Sequence, residues 1–175
     1  MARLPDVTDD APGVDAELMR RMAQRRGGRL LNLDRQLLHS AAVASGWNTM
    51  FGAIRTGCAL NGVSRELAIL LVAVINRAPY EFAQHAPVAQ ADGVTPAQIE
   101  AVGQWRGSKL FDARQQAVLA YTEAMTRQVQ VDDAVFDALR QHFDAREIVE
   151  LTATVAGYNM VSRFLEALRI EIESD

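Results

Sequence analysis

Cysteine is nearly absent: Cys58 is the only one in 175 residues. No intramolecular disulfide can form, and no metal site built on several thiolates is available. That usage is compatible with a reducing compartment, and the expected location is cytoplasmic. Long apolar runs are also missing. The longest, Leu67 to Ile75, spans nine residues. It makes about 13 Å of helix against a bilayer core of about 30 Å, so no membrane partner is expected. The first residues, MARLPDVTDDAPG, place acids where a signal peptide needs an apolar core. Positive charge is not in excess. The formal net charge of -4 argues against a general nucleic-acid binder. Aromatics make up only 6% of the chain, and no stretch alternates polar and apolar residues as a half-buried strand would.

What is present is apolar and small. Alanine, leucine and valine dominate a 49% apolar composition, which favours closely packed helices. The expected class is all-α: a helical bundle, with an arm over residues 1–13 and a single helical domain over 14–175. Asp15 caps a first helix that Gly27-Gly28 stops, and a short apolar segment follows over Leu30 to Leu38. Arg20, Arg21, Arg25, Arg26 and Arg29 cluster there and read as a solvated face rather than an anion site. A helix is expected over 41–60. Ser64 is placed as the cap of the next, which runs to Asn76 and is apolar nearly all round, hence central. Pro79 suits the first turn of a new helix that Gly93 stops, with Pro87 bending it or beginning a second segment. Thr95-Pro96-Ala97-Gln98 reads as a capping box, and Gly103 to Ser108 as a loop. Asp112, Asp132 and Asp144 cap three further helices, the last reaching Ile172.

A weak internal helix-hairpin repeat relates two helix starts. Arg65-Glu66-Leu67-Ala68-Ile69-Leu70 resembles Arg146-Glu147-Ile148-Val149-Glu150-Leu151. The second copy leads to Tyr158-Asn159-Met160 and has no Glu-x-x-x-His. One copy is thus expected to keep chemistry, the other packing.

The chemistry-bearing stretch is SRELAILLVAVINRAPYEFAQH, residues 64–85. Glu81 and His85 are four apart and share a helix face. A carboxylate beside an imidazole is the minimal equipment for proton transfer. Glu66 begins the preceding helix and can reach back to orient the histidine. The plain alternatives are a histidine bonded to a backbone carbonyl and glutamates placed for the helix dipole. Arg77 flanks the break and can take a substrate carboxylate, or make an ordinary surface ion pair. Tyr80 stands beside it. His39 and Trp47, in LLHSAAVASGW, line a pocket or simply pack. Glu-x-x-x-His is too common a spacing to indicate a metal, so no metal and no cofactor are expected. Cys58 reads as a small buried hydrophobe, and Asn76, Tyr158 and Asn159 are left unranked.

The same residues carry a family resemblance. The order Glu66, Ala78, Glu81, His85 resembles the motif of the carboxymuconolactone decarboxylase and alkylhydroperoxidase D-like family. In the peroxidase branch, cysteines occupy the two middle positions. Here both are replaced, while the glutamate and histidine remain. Glu81-Phe82 ahead of His85 resembles the decarboxylase branch, and AQADGVTPAQI over Ala89 to Ile99 also resembles the family. The resemblance implies a homo-oligomer (dimer, trimer or hexamer) and leaves three functions open. One is an acid–base enzyme, a decarboxylase or isomerase, acting on a small carboxylated, lactone or enolisable substrate. It would use His85 as proton donor, Glu81 as base or relay, Glu66 as orienter and Arg77 as anion contact. The second is a thiol peroxidase, disfavoured by the absent cysteine pair. The third is a helical oligomer with no enzymatic role.

Overall fold

The computed structural model describes residues 2–173. Among them lie nine α-helices, one 3-10 turn and no strand, so the fold is all-α. The helices are α1 Ala16–Arg25, α2 Asn32–Leu37, α3 Ala41–Thr56, α4 Gly62–Asn76, α5 Pro79–Ala91, α6 Pro96–Ala101, α7 Ala113–Gln128, α8 Asp133–Arg140 and α9 Ala145–Leu168. The chain forms two compact units. One holds the described residues up to Gly57 and those from Leu165; the other is Cys58–Phe164.

In the first unit, α1 and α2 pack on α3. Asp15 accepts the Leu18 N–H at 3.0 Å and so caps α1. The segment before α1 is tied to α2. Arg35 donates to the Val7 carbonyl at 2.8 Å, Gln36 donates to Asp6 at 2.7 Å, and Val7 is buried.

The second unit is organised on α4, against which α5 and α7 pack. Leu67, Leu70 and Leu71 of α4 join Ala89, Val94, Val102, Trp105, Phe111 and Leu119 in one apolar cluster. The expected cap of α4 is corrected. Asn61 is the N-cap, its side chain accepting the Ser64 N–H at 2.9 Å, and Ser64 itself is buried inside the first turn. Asn is as good an acceptor as Ser at this position, so the helix starts wherever the backbone first turns. The expectation of burial all round α4 fails at its last turn, where Val74 is 38% exposed. Helix α3 stops at Thr56 rather than near residue 60, with Gly57 as its C-cap. Asp132 precedes α8 without a side-chain capping bond, and α9 ends at Leu168. The expected loop after Gly103 begins as a 3-10 turn, Val102–Gln104.

The junction between α4 and α5 is tight. Arg77 adopts a left-handed conformation (φ 56°, ψ 46°), and the Ala78 N–H reaches back to the Ala73 carbonyl at 2.9 Å. This closes α4 in the manner usually left to glycine. Pro79 then opens α5, where its missing N–H costs nothing. Pro87 lies inside α5 and the helix continues through it. The ring leaves the Ala83 carbonyl without its usual donor, and Ala83 is exposed, so water can serve.

Candidate active site

The two-residue junction turns α5 back along α4. It brings the second turn of α5 level with the second turn of α4. His85 Nδ1 and Glu66 Oε2 lie 2.7 Å apart, and both residues are buried, 3% and 1% exposed. Glu66 Oε1 accepts from Arg65 Nε at 3.0 Å. Each oxygen of this buried carboxylate therefore has its own charged or polar donor. Burial by itself pushes the Glu66 pKa up. The hydrogen bonds and charges of His85 and Arg65 outweigh burial and hold it below the ordinary carboxylate range. An ionised Glu66 accepts, so His85 donates from Nδ1.

Helix α9 supplies the other side. The rings of Tyr158 and His85 meet in a T-shaped contact, 4.9 Å between centroids. Ser162, one turn on, places its hydroxyl 2.9 Å from Glu81 Oε2, and Glu81 is only 1% exposed. The same hydroxyl lies 3.1 Å from the Tyr158 carbonyl. Glu81 and His85 are thus a buried acid and imidazole on one face of α5, each meeting α9.

The sequence-derived candidates separate cleanly. Glu66, Glu81 and His85 are brought together in one buried cluster. Tyr80 is buried at the start of α5, and Arg77 is exposed at the junction. Arg77 helps line an open groove of about 470 Å³ with Ala73, Val74, Ala78, Pro79, Phe82 and Ala83. Neither Glu81 nor His85 lines it. His39 and Trp47 belong to the first unit, where both are accounted for. His39 is exposed with Nε2 2.8 Å from the Pro5 carbonyl, and Trp47 packs on Phe51 at 4.8 Å. Asn76 donates to Asn159, and Asn159 to Thr126, both at 3.0 Å, tying α4, α9 and α7 together. Cys58 is half-buried, and burial followed by the Glu150 charge pushes its thiol pKa up, which disfavours a thiolate. Among the described residues, no group of three or more His, Cys, Asp and Glu side chains is placed to hold a metal ion.

Sequence reasoning missed Ser162, Arg65 and the Asp92 that Arg65 contacts at 2.7 Å. A signal existed for the first. Tyr158 and Ser162 repeat the four-residue spacing of Glu81 and His85 on a second helix.

Residues 41–124 match the carboxymuconolactone decarboxylase family, a span that takes in Glu66, Arg77, Glu81 and His85. The uncharacterized protein YnjA of Escherichia coli K12 is 41% identical over 71 residues, 40% of this chain and 39% of that protein. The chain therefore matches well under half the length of this relative. Among solved structures, an uncharacterized peroxidase-related protein from Silicibacter sp. TM1040 superposes with a TM-score of 0.84 at 22% identity, covering 99% of this chain and 92% of that one. An alkylhydroperoxidase AhpD core protein from Ralstonia eutropha JMP134, also described as peroxidase-related, gives 0.86 at 18% identity over 99% and 93%. The debrominase Bmp8 gives 0.79 at 19% identity over 99% and 91%. At these identities the solved structures speak for the fold alone.

Proposed function

Taking as premise that residues 41–124 belong to the carboxymuconolactone decarboxylase family, we propose that the chain is a cysteine-independent acid–base enzyme for a small carboxylated, lactone or otherwise enolisable substrate. The observation that carries the reading is the buried Glu66–His85 pair at 2.7 Å, on the helix face that also holds the buried Glu81.

Loss of carbon dioxide from a β-keto or β,γ-unsaturated acid breaks a carbon–carbon bond and leaves its electron pair as an enolate or dienolate. The enzyme must stabilise that charge and then deliver a proton to carbon. A histidine held at Nδ1 by an ionised carboxylate is suited to this. Glu66 supports the imidazolium, which gives a proton to the carbon. Glu81 is the proton store that recharges the histidine. The Ser162 hydroxyl has one proton and two neighbours, Glu81 Oε2 and the Tyr158 carbonyl. Ser162 donates to Glu81 Oε2 at 2.9 Å and so orients that carboxyl. Tautomerisation of the same substrate class uses the same parts, so decarboxylase and isomerase are two outcomes of one site.

In this reading the groove beside α5 receives the substrate and Arg77 takes its carboxylate. Because the acid–base pair is buried and does not line the groove, turnover requires the groove wall to yield. The protein works in the cytoplasm as a homo-oligomer.

The test is a panel of small β-keto acids, unsaturated carboxylates and lactones, followed by carbon dioxide release and by deuterium incorporation at carbon in heavy water. Turnover that survives in Cys58→Ser and is lost in His85→Ala supports the reading. Peroxide turnover that disappears in Cys58→Ser would overturn it in favour of thiol chemistry. Turnover unaffected by His85→Ala would overturn it outright.

A further inference from the structure

Beyond Glu66, the hydrogen-bond chain continues to the surface. Arg65 Nε donates to Glu66 Oε1 at 3.0 Å, and Arg65 Nη2 donates to Asp92 Oδ2 at 2.7 Å. Arg65 is largely buried, its side chain 12% exposed, while Asp92 is 31% exposed. Asp92 is the C-cap of α5, the helix that carries His85, and Arg65 sits on α4 beside Glu66. The relay Asp92–Arg65–Glu66–His85 therefore leaves α5, crosses to α4 and returns to α5. A backbone feature makes room for it. Gly62, the first residue of α4, has no side chain. A Cβ there would stand 2.5 Å from Asp92 Cγ and 2.9 Å from Asp92 Cβ. Any other residue at 62 pushes Asp92 off its seat.

We propose that Arg65 and Asp92 are positioning residues: Asp92 fixes the Arg65 guanidinium, and Arg65 fixes Glu66 Oε1. Glu66 Oε2 is thereby aimed at His85 Nδ1, which is kept as the protonated nitrogen. The inference rests on the acid–base reading for its functional meaning, but its geometry stands without it. A buried carboxylate with two free oxygens can rotate and offer His85 either of them, or a protonated face. With one oxygen held by a guanidinium it has one orientation.

Charge follows from the same arrangement. Arg65 draws on the Glu66 charge that would otherwise stabilise an imidazolium, and Asp92 draws on Arg65. The charged and titratable groups around His85 are Glu66 and Arg65 of α4, Glu81 and Asp92 of α5, and Tyr158 of α9. Glu150 of α9 is engaged with Arg146 and the Leu60 N–H. On α7, Tyr121 is engaged with Thr152, and Glu123 with Trp105, Arg106 and Arg127. Removing the cation at 65 and removing the anion at 92 must therefore act on His85 in opposite directions.

The experiment is nitrogen-15 NMR of the full chain. Its three histidines are assigned by difference with His85→Gln. The parent and Arg65→Lys are expected to show His85 protonated at Nδ1. Arg65→Gln should raise the midpoint of the His85 titration and Asp92→Asn should lower it, each by about one pH unit or less. Gly62→Ala should behave as Asp92→Asn, because it displaces the same carboxylate. If Arg65→Gln fails to fold, the direction in Asp92→Asn and Gly62→Ala decides. Shifts of the same sign in Arg65→Gln and Asp92→Asn, or no shift in either partly exposed-site variant, would overturn the proposal. Shifts of the expected sign in a protein with no turnover on any substrate would sink the enzyme reading and leave the positioning role standing.

Discussion

Two helix starts in this chain share a sequence and do different things. Arg65-Glu66 opens α4 and Arg146-Glu147 opens α9, each ahead of a long apolar run. Glu66 is buried, with one oxygen on His85 and the other on Arg65. Glu147 is 21% exposed and reaches back to the Asp144 N–H at 3.1 Å, while Asp144 accepts the Glu147 N–H at 2.8 Å. That is a capping box. The arginines part in the same way. Arg65 is 12% exposed and internal to the relay, and Arg146 is 65% exposed and pairs with Glu150 one turn along. The difference is helical phase. Glu147 is the third residue of α9, where a glutamate can fold back onto the N-cap. Glu66 is the fifth residue of α4, past the first turn, and its side chain must find partners on another helix. Two residues of offset turn a cap into a buried charge.

The comparison breaks most visibly in activity. Within the proposed function, His85→Ala and Glu81→Gln should each cut turnover by about 10²–10⁴-fold, the usual contribution of a general acid or base, with helical circular dichroism retained. Glu147→Gln, at the matching place in the other copy, should leave turnover within about twofold, since it touches only a cap and Arg114, away from the cluster. Comparable losses in all three would mean that the cluster is structural.

Stability comes next. Glu66→Ala leaves Arg65 and His85 without the carboxylate between them, and breaking a buried pair costs about 3–5 kcal/mol. Glu147→Ala removes part of a cap and an Arg114 contact, and should cost about 1 kcal/mol. Urea titrations that rank the two equally would show that burial does not distinguish the copies.

Acid pH sharpens the same contrast. The Glu66 pKa in the folded state lies below its ordinary value of about 4.3, so the folded chain binds fewer protons there than the unfolded chain. Its contribution is complete above that pH and is lost as pH falls through the depressed folded value. Glu66→Gln should flatten this part of the acid limb. Burial pushes the Glu150 pKa up, but the Leu60 and Ala59 N–H groups and Arg146 together outweigh it and hold it low, so Glu150→Gln should flatten a second part. Chemical denaturation between pH 5 and 3, run on both variants, reads the two contributions. An acid limb unchanged in Glu66→Gln would contradict the depressed carboxylate.

Arg77 allows a smaller and cleaner separation. Glycine adopts the left-handed conformation without cost, so Arg77→Gly should not lose more than about 1 kcal/mol. If the guanidinium takes the substrate carboxylate, KM should rise while thermal unfolding hardly moves. The smallest effect is expected at Cys58. Cys58→Ser should change neither turnover nor stability by more than about 0.5 kcal/mol, as usual for partly exposed positions outside a site. A larger loss of activity would bring thiol chemistry back.

Legibility in the sequence followed the range of the interaction. The caps at Asp15, Thr95, Asp112 and Asp144, the proline start of α5 and the α4–α5 break are local, and local chemistry announces them. So does the pairing of Glu81 with His85, which needs only a helix. The reach of Glu66 to His85 was also readable, because a break of two residues returns α5 along α4. The α9 partners were not. Tyr158 and Ser162 stand more than seventy residues from His85 and Glu81, and no local rule says which face of a long apolar helix will be turned toward α5. The expectation that the second copy keeps only packing is revised accordingly, since α9 supplies a hydroxyl to Glu81 and a ring to His85.

The sequence by itself determined the all-α class, most helix starts, the absence of a cysteine pair at the motif positions and the acid–imidazole face of α5. Each of these depends on residue type and spacing along a single segment. Tertiary structure alone decided that Glu66 is an internal carboxylate and Glu147 a cap. It also decided that Arg65 points inward to join Asp92 over Gly62, and that α9 closes the cluster. Those outcomes depend on which buried faces meet, and burial is a property of the packed chain.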